Sequence, residues 1–269
     1  MNQYTKLAIS AATSAGEFLQ KKITSARILA QKANRFDIVT DADIQTQKLI
    51  TELIFKEFPL HKILGEESEE HQKLSNEFTW IIDPIDGTGA FSTGLPTYAS
   101  SIALFKGKKP ISAAVFLAIN NTVVYAEKGE GSFVNGKKLK VREVVNLNEA
   151  SVGFDPYYKH REKAFALFGK SLGGKLFMTP MIWSQAAGLA LIASGIFDGY
   201  IVFGKPKIWD IAAGILLLEE AGGAISDFKG NPLSLSNIGS YVASGKTIHR
   251  KLLSSVRNAQ PGYYDKITP

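Results

Sequence analysis

Between Trp80 and Thr88 the chain reads Trp-Ile-Ile-Asp-Pro-Ile-Asp-Gly-Thr, and few folds accommodate that run. Tryptophan and isoleucine favour a buried strand, and Pro84, which has no amide hydrogen, forbids its regular continuation. Asp83 and Asp86 therefore leave the strand end on a stiff turn, where hard oxygen ligands converge on a cation. Gly87 lets backbone approach a ligand closely, and Thr88 adds a hydroxyl able to hydrogen-bond a water. Taken alone, the same residues also describe an acidic β-turn after a strand. The rest of the chain separates the two readings.

Other acids fall at predicted element ends: Asp41 and Asp43 at a helix start, Glu66 and Glu67 after a strand, and Asp210 after Trp209. Acids at a helix N-terminus ordinarily complement the dipole, and that reading stands for Asp41 and Asp43 alone. Glu67, Glu69 and Glu70 read as a solvated face. Asp210 is harder to dismiss, because it begins the apolar run Ile211–Leu218. A carboxylate there needs a compensating partner, since an unpaired buried charge costs several kcal/mol. The helix N-terminus is one such partner and a metal ion is another.

Composition narrows the ion. With no cysteine and 4 histidines, a zinc or iron site lacks its usual ligands. His61, His71, His160 and His249 are scattered and read as surface residues. Carboxylates with a backbone carbonyl point instead to magnesium or manganese, and magnesium usually partners phosphate oxygens. The net charge of +6 raises the question of an anionic macromolecule. The lysines are dispersed, and the clusters at 106–109 and 137–138 sit at turn-like glycines, as solvated hairpin tips do. No zinc-finger spacing or RNA-binding aromatic signature accompanies them, so a nucleic-acid partner is not expected. The first residues lack the layout of a signal peptide, and no apolar run is long enough to span a bilayer. A cytoplasmic protein without membrane contact is expected.

A chain of 269 residues, 45% hydrophobic, can bury a sizeable core. Helical periodicity runs from about Thr5 to Lys22, with Leu7, Ala8, Ala11, Ala15, Phe18 and Leu19 on one side. A second helix begins near Thr40–Asp41, carries Ile44, Leu49, Ile50, Leu53 and Ile54 inward, and ends by Pro59. Lys62–Leu64 is a short strand. Strands over Tyr98–Phe105, Ile111–Leu117 and Thr122–Glu127 are separated by Gly107 and Asn120-Asn121, with a further turn at Asn135-Gly136, as in an antiparallel meander. Beyond Ala150 the elements alternate: a strand at Ser151–Phe154, helices at Arg161–Phe168 and Ser184–Ala193, and a strand at Tyr200–Phe203. An apolar helix at Ile208–Ala221 is stopped by Gly222-Gly223. Strands at Ala224–Asp227 and Tyr241–Ala243 and a helix at Ile248–Val256 follow. No linker separates the halves, so two packed lobes are expected, residues 1–147 and 148–269.

At this point the chain resembles the magnesium-dependent, lithium-sensitive inositol monophosphatase family. The likeness is carried by Asp37–Asp43, Gly65-Glu66-Glu67-Ser68, Asp83–Thr88 with Phe91 and Gly94-Leu95-Pro96, Gly129–Phe133 with Asn135-Gly136, and Trp209-Asp210 with Glu220–Gly223. The resemblance implies an α/β fold, an α+β N-terminal lobe against an α/β C-terminal lobe, layered as an αβαβα sandwich of the sugar-phosphatase type. It implies that Glu66, Asp83 and the Ile85 carbonyl hold a first Mg2+ and that Asp83, Asp86 and Asp210 hold a second, with Asp83 bridging. Glu66 would face a weaker third ion, and Mn2+ would serve as an alternative. Thr88, paired with Asp43, would orient and deprotonate the attacking water, and the Gly87 and Thr88 amides would bind phosphate. The implied reaction is direct in-line attack on a phosphomonoester by a metal-activated water, with the metals about 3.5–4 Å apart. A homodimer is implied as well.

The leaving-group side is less well specified. The family acts on inositol monophosphates, fructose 1,6-bisphosphate, histidinol phosphate or 3′-phosphoadenosine 5′-phosphate. Animal-type members carry a glutamate shortly before the Trp-Asp pair, for the inositol hydroxyls. Here Tyr200–Ile208 contains no acid and one extra residue. Lys205 and Lys207 are either contacts for a second phosphate or solvent-exposed. Ser184, Asp86 and Asp210 are substrate-side candidates, Ser184 with Gln185 at the start of a helix where relatives place such contacts. An inositol-phosphate phosphatase, broad enough to include fructose 1,6-bisphosphate, is the expected activity. The rivals are a catalytically silent binding protein on the same fold and a nucleic-acid-binding protein.

Overall fold

The computed structural model describes residues 1–31, 38–68, 74, 76–156 and 161–259. Asp37, Glu69, Glu70, His71 and His160 lie outside the described residues.

The chain opens with α1 (Gln3–Lys22), β1 (Ile28–Gln31), β2 (Ile38–Thr40), α2 (Asp41–Glu57), β3 (Lys62–Gly65), β4 (Phe78–Asp86) and α3 (Thr88–Ser92). The meander follows as β5 (Ala99–Lys106), β6 (Lys109–Leu117), β7 (Thr122–Glu127), β8 (Gly131–Val134) and β9 (Lys137–Lys138). The last part carries β10 (Val152–Asp155), α4 (Arg161–Leu172), α5 (Gln185–Ala193), β11 (Gly199–Val202) and α6 (Ile208–Glu220). It ends with β12 (Gly223–Asp227), β13 (Tyr241–Gly245) and α7 (Lys246–Ala259).

Strands β3 to β9 form a 7-stranded sheet in chain order, antiparallel except for the parallel β3–β4 pair. β10, β11, β13 and β12 form a mixed 4-stranded sheet in that order. α1 and α2 cover one face of the larger sheet, and α5 and α6 lie between the two sheets. α4 and α7 cover the outer face of the smaller sheet. The result is the αβαβα layering. Each helix layer has its own apolar cluster, and the one around α5 and α6 draws on residues from Leu64 to Ala243. A one-turn helix, Leu147–Glu149, spans the 147/148 position. Among the described residues no helix is long and apolar enough to cross a membrane.

β4 shows how the period of the strand builds this sandwich. Trp80 and Ile82 point into the cluster under α1 and α2, whereas Ile81 points into the one around α5 and α6. All three are essentially inaccessible, and burial of each such side chain contributes about 1.5–3 kcal/mol. The strand does not stop at Pro84 as the sequence predicts. It runs on to Asp86 across an irregularity, in which Asp83 pairs with Ser101 but Asp86 with Ala99. Three steps on β4 thus match two on β5, a bulge that absorbs the proline's missing donor.

α2 differs from its sequence reading at Ile44 and, less sharply, at Leu49, which is half-buried and joins no core cluster among the described residues. Ile44 is 44% exposed, because the inward face is set by Ala42, Asp43, Thr46, Gln47, Ile50 and Ile54. Placing Asp43 inside turns its neighbour out. The Asn135-Gly136 turn, at φ 49° and 76°, joins the short pair β8–β9, which the sequence reading leaves as a turn alone.

Candidate active site

The bulge in β4 delivers the acids of the opening motif to one corner. Beside it, β3 runs parallel, and the Glu66 amide donates to the Ile82 carbonyl (3.1 Å), which sets Glu66 next to Asp83. After Asp86, Gly87 takes a left-handed conformation (φ 93°) and caps the short helix α3. A side chain there would be strained, and its Cβ would lie 3.0 Å from the Trp183 carbonyl. From the other half, α6 begins at Ile208 and carries Asp210, whose Oδ2 accepts from the Lys207 amide (2.8 Å).

Asp83 is 1% exposed, and its Oδ1 is buried with no hydrogen-bond partner. Burial drives its pKa well above the usual carboxylate value, and Glu66, Asp86 and Asp210 push it further, Glu66 also by a hydrogen bond. Asp210 is raised likewise, by burial first and then by Asp86 and Glu66. Asp86 is raised to about 7 by burial, although the Ala186 amide and the Ser184 hydroxyl hold it lower. Those two donors both reach Asp86 Oδ2, at 2.5 and 2.8 Å. Ser184, expected on the substrate side, therefore spends its hydroxyl on Asp86.

Asp43 is fully buried in the first turn of α2. Its Oδ2 accepts from the Thr40 amide (2.8 Å) and hydroxyl (2.6 Å), and its Oδ1 from the Thr88 hydroxyl (3.2 Å). The Thr88 hydroxyl also lies 2.9 Å from the Ile85 carbonyl. Burial raises Asp43 to about 7, opposed by the Thr40 hydrogen bonds and aided by Glu67 and Glu66.

The corner thus gathers Asp43, Glu66, Asp83, Ile85, Asp86, Gly87, Thr88, Ser184 and Asp210. Among the described residues, no three acidic or histidine side chains close into a ready-made ion cage. An orphaned buried carboxylate oxygen among further carboxyls nonetheless fits a hard divalent cation such as magnesium.

Sequence reasoning missed Asp155. It closes β10, is 7% exposed, and its charge acts on Asp86, Asp210 and the buried hydroxyls of Tyr200 and Tyr241. A signal was present: Phe154-Asp155-Pro156 repeats the strand–Asp–Pro pattern of Ile82-Asp83-Pro84. Trp183 was missed too, with no pattern to mark it. Lys207 contributes its amide, while its side chain is exposed. Lys205 lines a separate cavity of about 490 Å³ with Asp227, Lys229 and Ser240.

Comparison with known proteins agrees with this layout. The model of the Inositol monophosphatase family matches residues 1–261. A fructose-1,6-bisphosphatase/inositol-1-monophosphatase of Aquifex aeolicus is 32% identical over 257 residues, covering 94% of this chain and 95% of the relative. The Nus factor SuhB of Escherichia coli K12 is 33% identical over 266 residues, covering 96% and 97%. A solved IMPase/NADP phosphatase complexed with Mg2+ and phosphate is 27% identical, with a TM-score of 0.83 over 97% of each chain.

Proposed function

The chain belongs to the inositol monophosphatase family, and from that premise we propose that it is a magnesium-dependent phosphomonoesterase acting on a small phosphorylated metabolite. One observation carries the reading: a buried Asp83 oxygen without a partner, set among Glu66, Asp86 and Asp210. Glu66, Asp83 and the Ile85 carbonyl would hold one ion, and Asp83, Asp86 and Asp210 would hold a second. Glu66 would border a weaker third, and manganese would be the alternative metal. When bound, such ions neutralise phosphoryl charge and lower the pKa of water towards neutrality. Asp86 offers Oδ1, because Oδ2 is taken by Ser184 and Ala186.

Thr88 and Asp43 manage the proton. The threonine hydroxyl has one hydrogen and two acceptors in reach, Asp43 and the Ile85 carbonyl. Giving it to Asp43 leaves the oxygen's lone pairs for a proton of the attacking water. The proton thus passes from water to Thr88 Oγ1 and from Thr88 to Asp43 Oδ1. Burial suits Asp43 to this, since it titrates near pH 7 rather than 3.8. The Gly87 and Thr88 amides, at the start of α3, donate to the phosphate.

Inositol monophosphate heads the list of substrates by family name. Fructose 1,6-bisphosphate follows, because the Aquifex aeolicus relative bears both names. A phosphate-release panel with magnesium tests the reading, with inositol 1-phosphate, fructose 1,6-bisphosphate, histidinol phosphate and 3′-phosphoadenosine 5′-phosphate. Release that needs the metal and stops on chelation is expected; hydrolysis that survives chelation would sink the mechanism. A second reading, a binding protein that does not turn over substrate, is favoured by the likeness to a Nus factor. Silence across the whole panel would decide for it. The family likeness carries lithium inhibition and a homodimer as well, checked by lithium titration and sedimentation.

A further inference from the structure

Trp183 has a left-handed backbone, with φ 60°. That conformation strains a bulky residue and is natural to glycine. Among the described residues, no core cluster holds the ring. Ile182 and Met181 pack into clusters on either side, whereas Trp183 joins none of the three and stays half-buried.

The Trp183 backbone stands at the wall of the corner just described. The Trp183 carbonyl approaches Gly87, and the next residue, Ser184, holds Asp86. Arg161, at the start of α4, lays its guanidinium over the indole, 4.9 Å from the ring centroid. The preceding strand, β10, ends in Asp155, whose charge reaches Asp86 and Asp210. A flat apolar ring, braced by a cation, is therefore carried on a left-handed backbone beside the phosphate turn. Such rings recognise other flat rings by stacking, and bases of every kind present a suitable face.

We propose that Trp183 is a stacking platform for the leaving group, which makes nucleoside phosphates the preferred substrate class. The inference rests on the phosphomonoesterase reading. Arg161 covers one face of the indole and steadies it, and the base lies against the exposed remainder. Within the family's range of substrates, this wall shifts the preference towards the nucleotide end.

The test compares adenosine 3′-monophosphate with glycerol 2-phosphate, an ester without a ring, in the magnesium-loaded wild type, Trp183→Gly and Trp183→Phe. The wild type should favour the nucleotide. In Trp183→Gly the ratio of the two kcat/KM values should fall about ten-fold, mostly through KM for the nucleotide. Trp183→Phe should keep most of the preference. The glycine variant should melt no lower than wild type, since glycine relieves the strain. A ratio that ignores residue 183 overturns the proposal. So does a lower melting temperature with equal losses on both esters, which assigns the ring to packing. Turnover of neither ester by the wild type defeats the phosphomonoesterase reading itself, whereas turnover of both without dependence on residue 183 defeats only the platform.

Discussion

Asp198 and Asp83 are both buried carboxylates, one in each half of the molecule, and the protein treats them oppositely. Asp198 precedes β11 and is met on every side: Arg142 grips it through Nε (2.7 Å) and Nη2 (2.5 Å), and the Ser151 amide adds a third donor (2.7 Å). Asp83 has an oxygen with no donor and acidic neighbours. The first arrangement closes a structural joint. The second leaves a negative charge for something outside the chain to satisfy, and under the proposed function that something is a cation.

Breaking the joint should have the largest effect on stability. Arg142→Met leaves Asp198 charged and buried, which should cost about 3–5 kcal/mol in chemical denaturation. A loss under 1 kcal/mol would erase the contrast. Asp83→Asn should do the reverse. It should lower kcat/KM by about 10²–10³, yet raise the melting temperature of the magnesium-free protein, because one like charge leaves the cluster. If that variant melts lower, Asp83 belongs with Asp198.

Ser184→Ala tests the support under Asp86. It removes one of two donors to Oδ2 and should weaken magnesium binding about 10–100-fold in a metal titration. Unchanged affinity would leave Ser184 with its helix-capping bond to Ala187 alone. The smallest effect is in pH. Asp43 and Asp86 have folded pKa values raised from 3.8 to about 7. Their contribution is therefore fully present below pH 3.8 and lost as pH rises through 7, so the magnesium-free protein should soften across that window. Magnesium should stabilise more at pH 8 than at pH 5, by a few degrees, since 1 kcal/mol is worth about 2–4 °C at this size. An equal shift at both values would mean that protons and magnesium do not compete for this corner.

The two halves of the corner were also unequally legible. Asp83, Asp86, Gly87 and Thr88 are adjacent in sequence, so local chemistry announces them. Asp210 is conspicuous for a different reason, as an acid heading an apolar helix. Most strands and helices follow from apolar periodicity and turn residues, whereas their layering was implied by the family resemblance, and the short pair β1–β2 gave no such signal. What lay hidden depends on distant contacts. Ser184 looks like any helix cap until Asp86 is seen against it. Trp183 carries no pattern, because its neighbours Arg161 and Gly87 are far away in sequence. Ile44 was misread since an apolar residue beside a buried acid must give up the inner face.

The position of β4 has one more consequence. It is bordered by β3 and β5 and covered on both faces by helices. Its amides from 79 to 82 should therefore meet solvent deuterium only when the sheet comes apart, at the slow rate of global opening. Fraying at the ends of the chain leaves that strand untouched. The acidic corner thus persists for as long as the molecule has a centre.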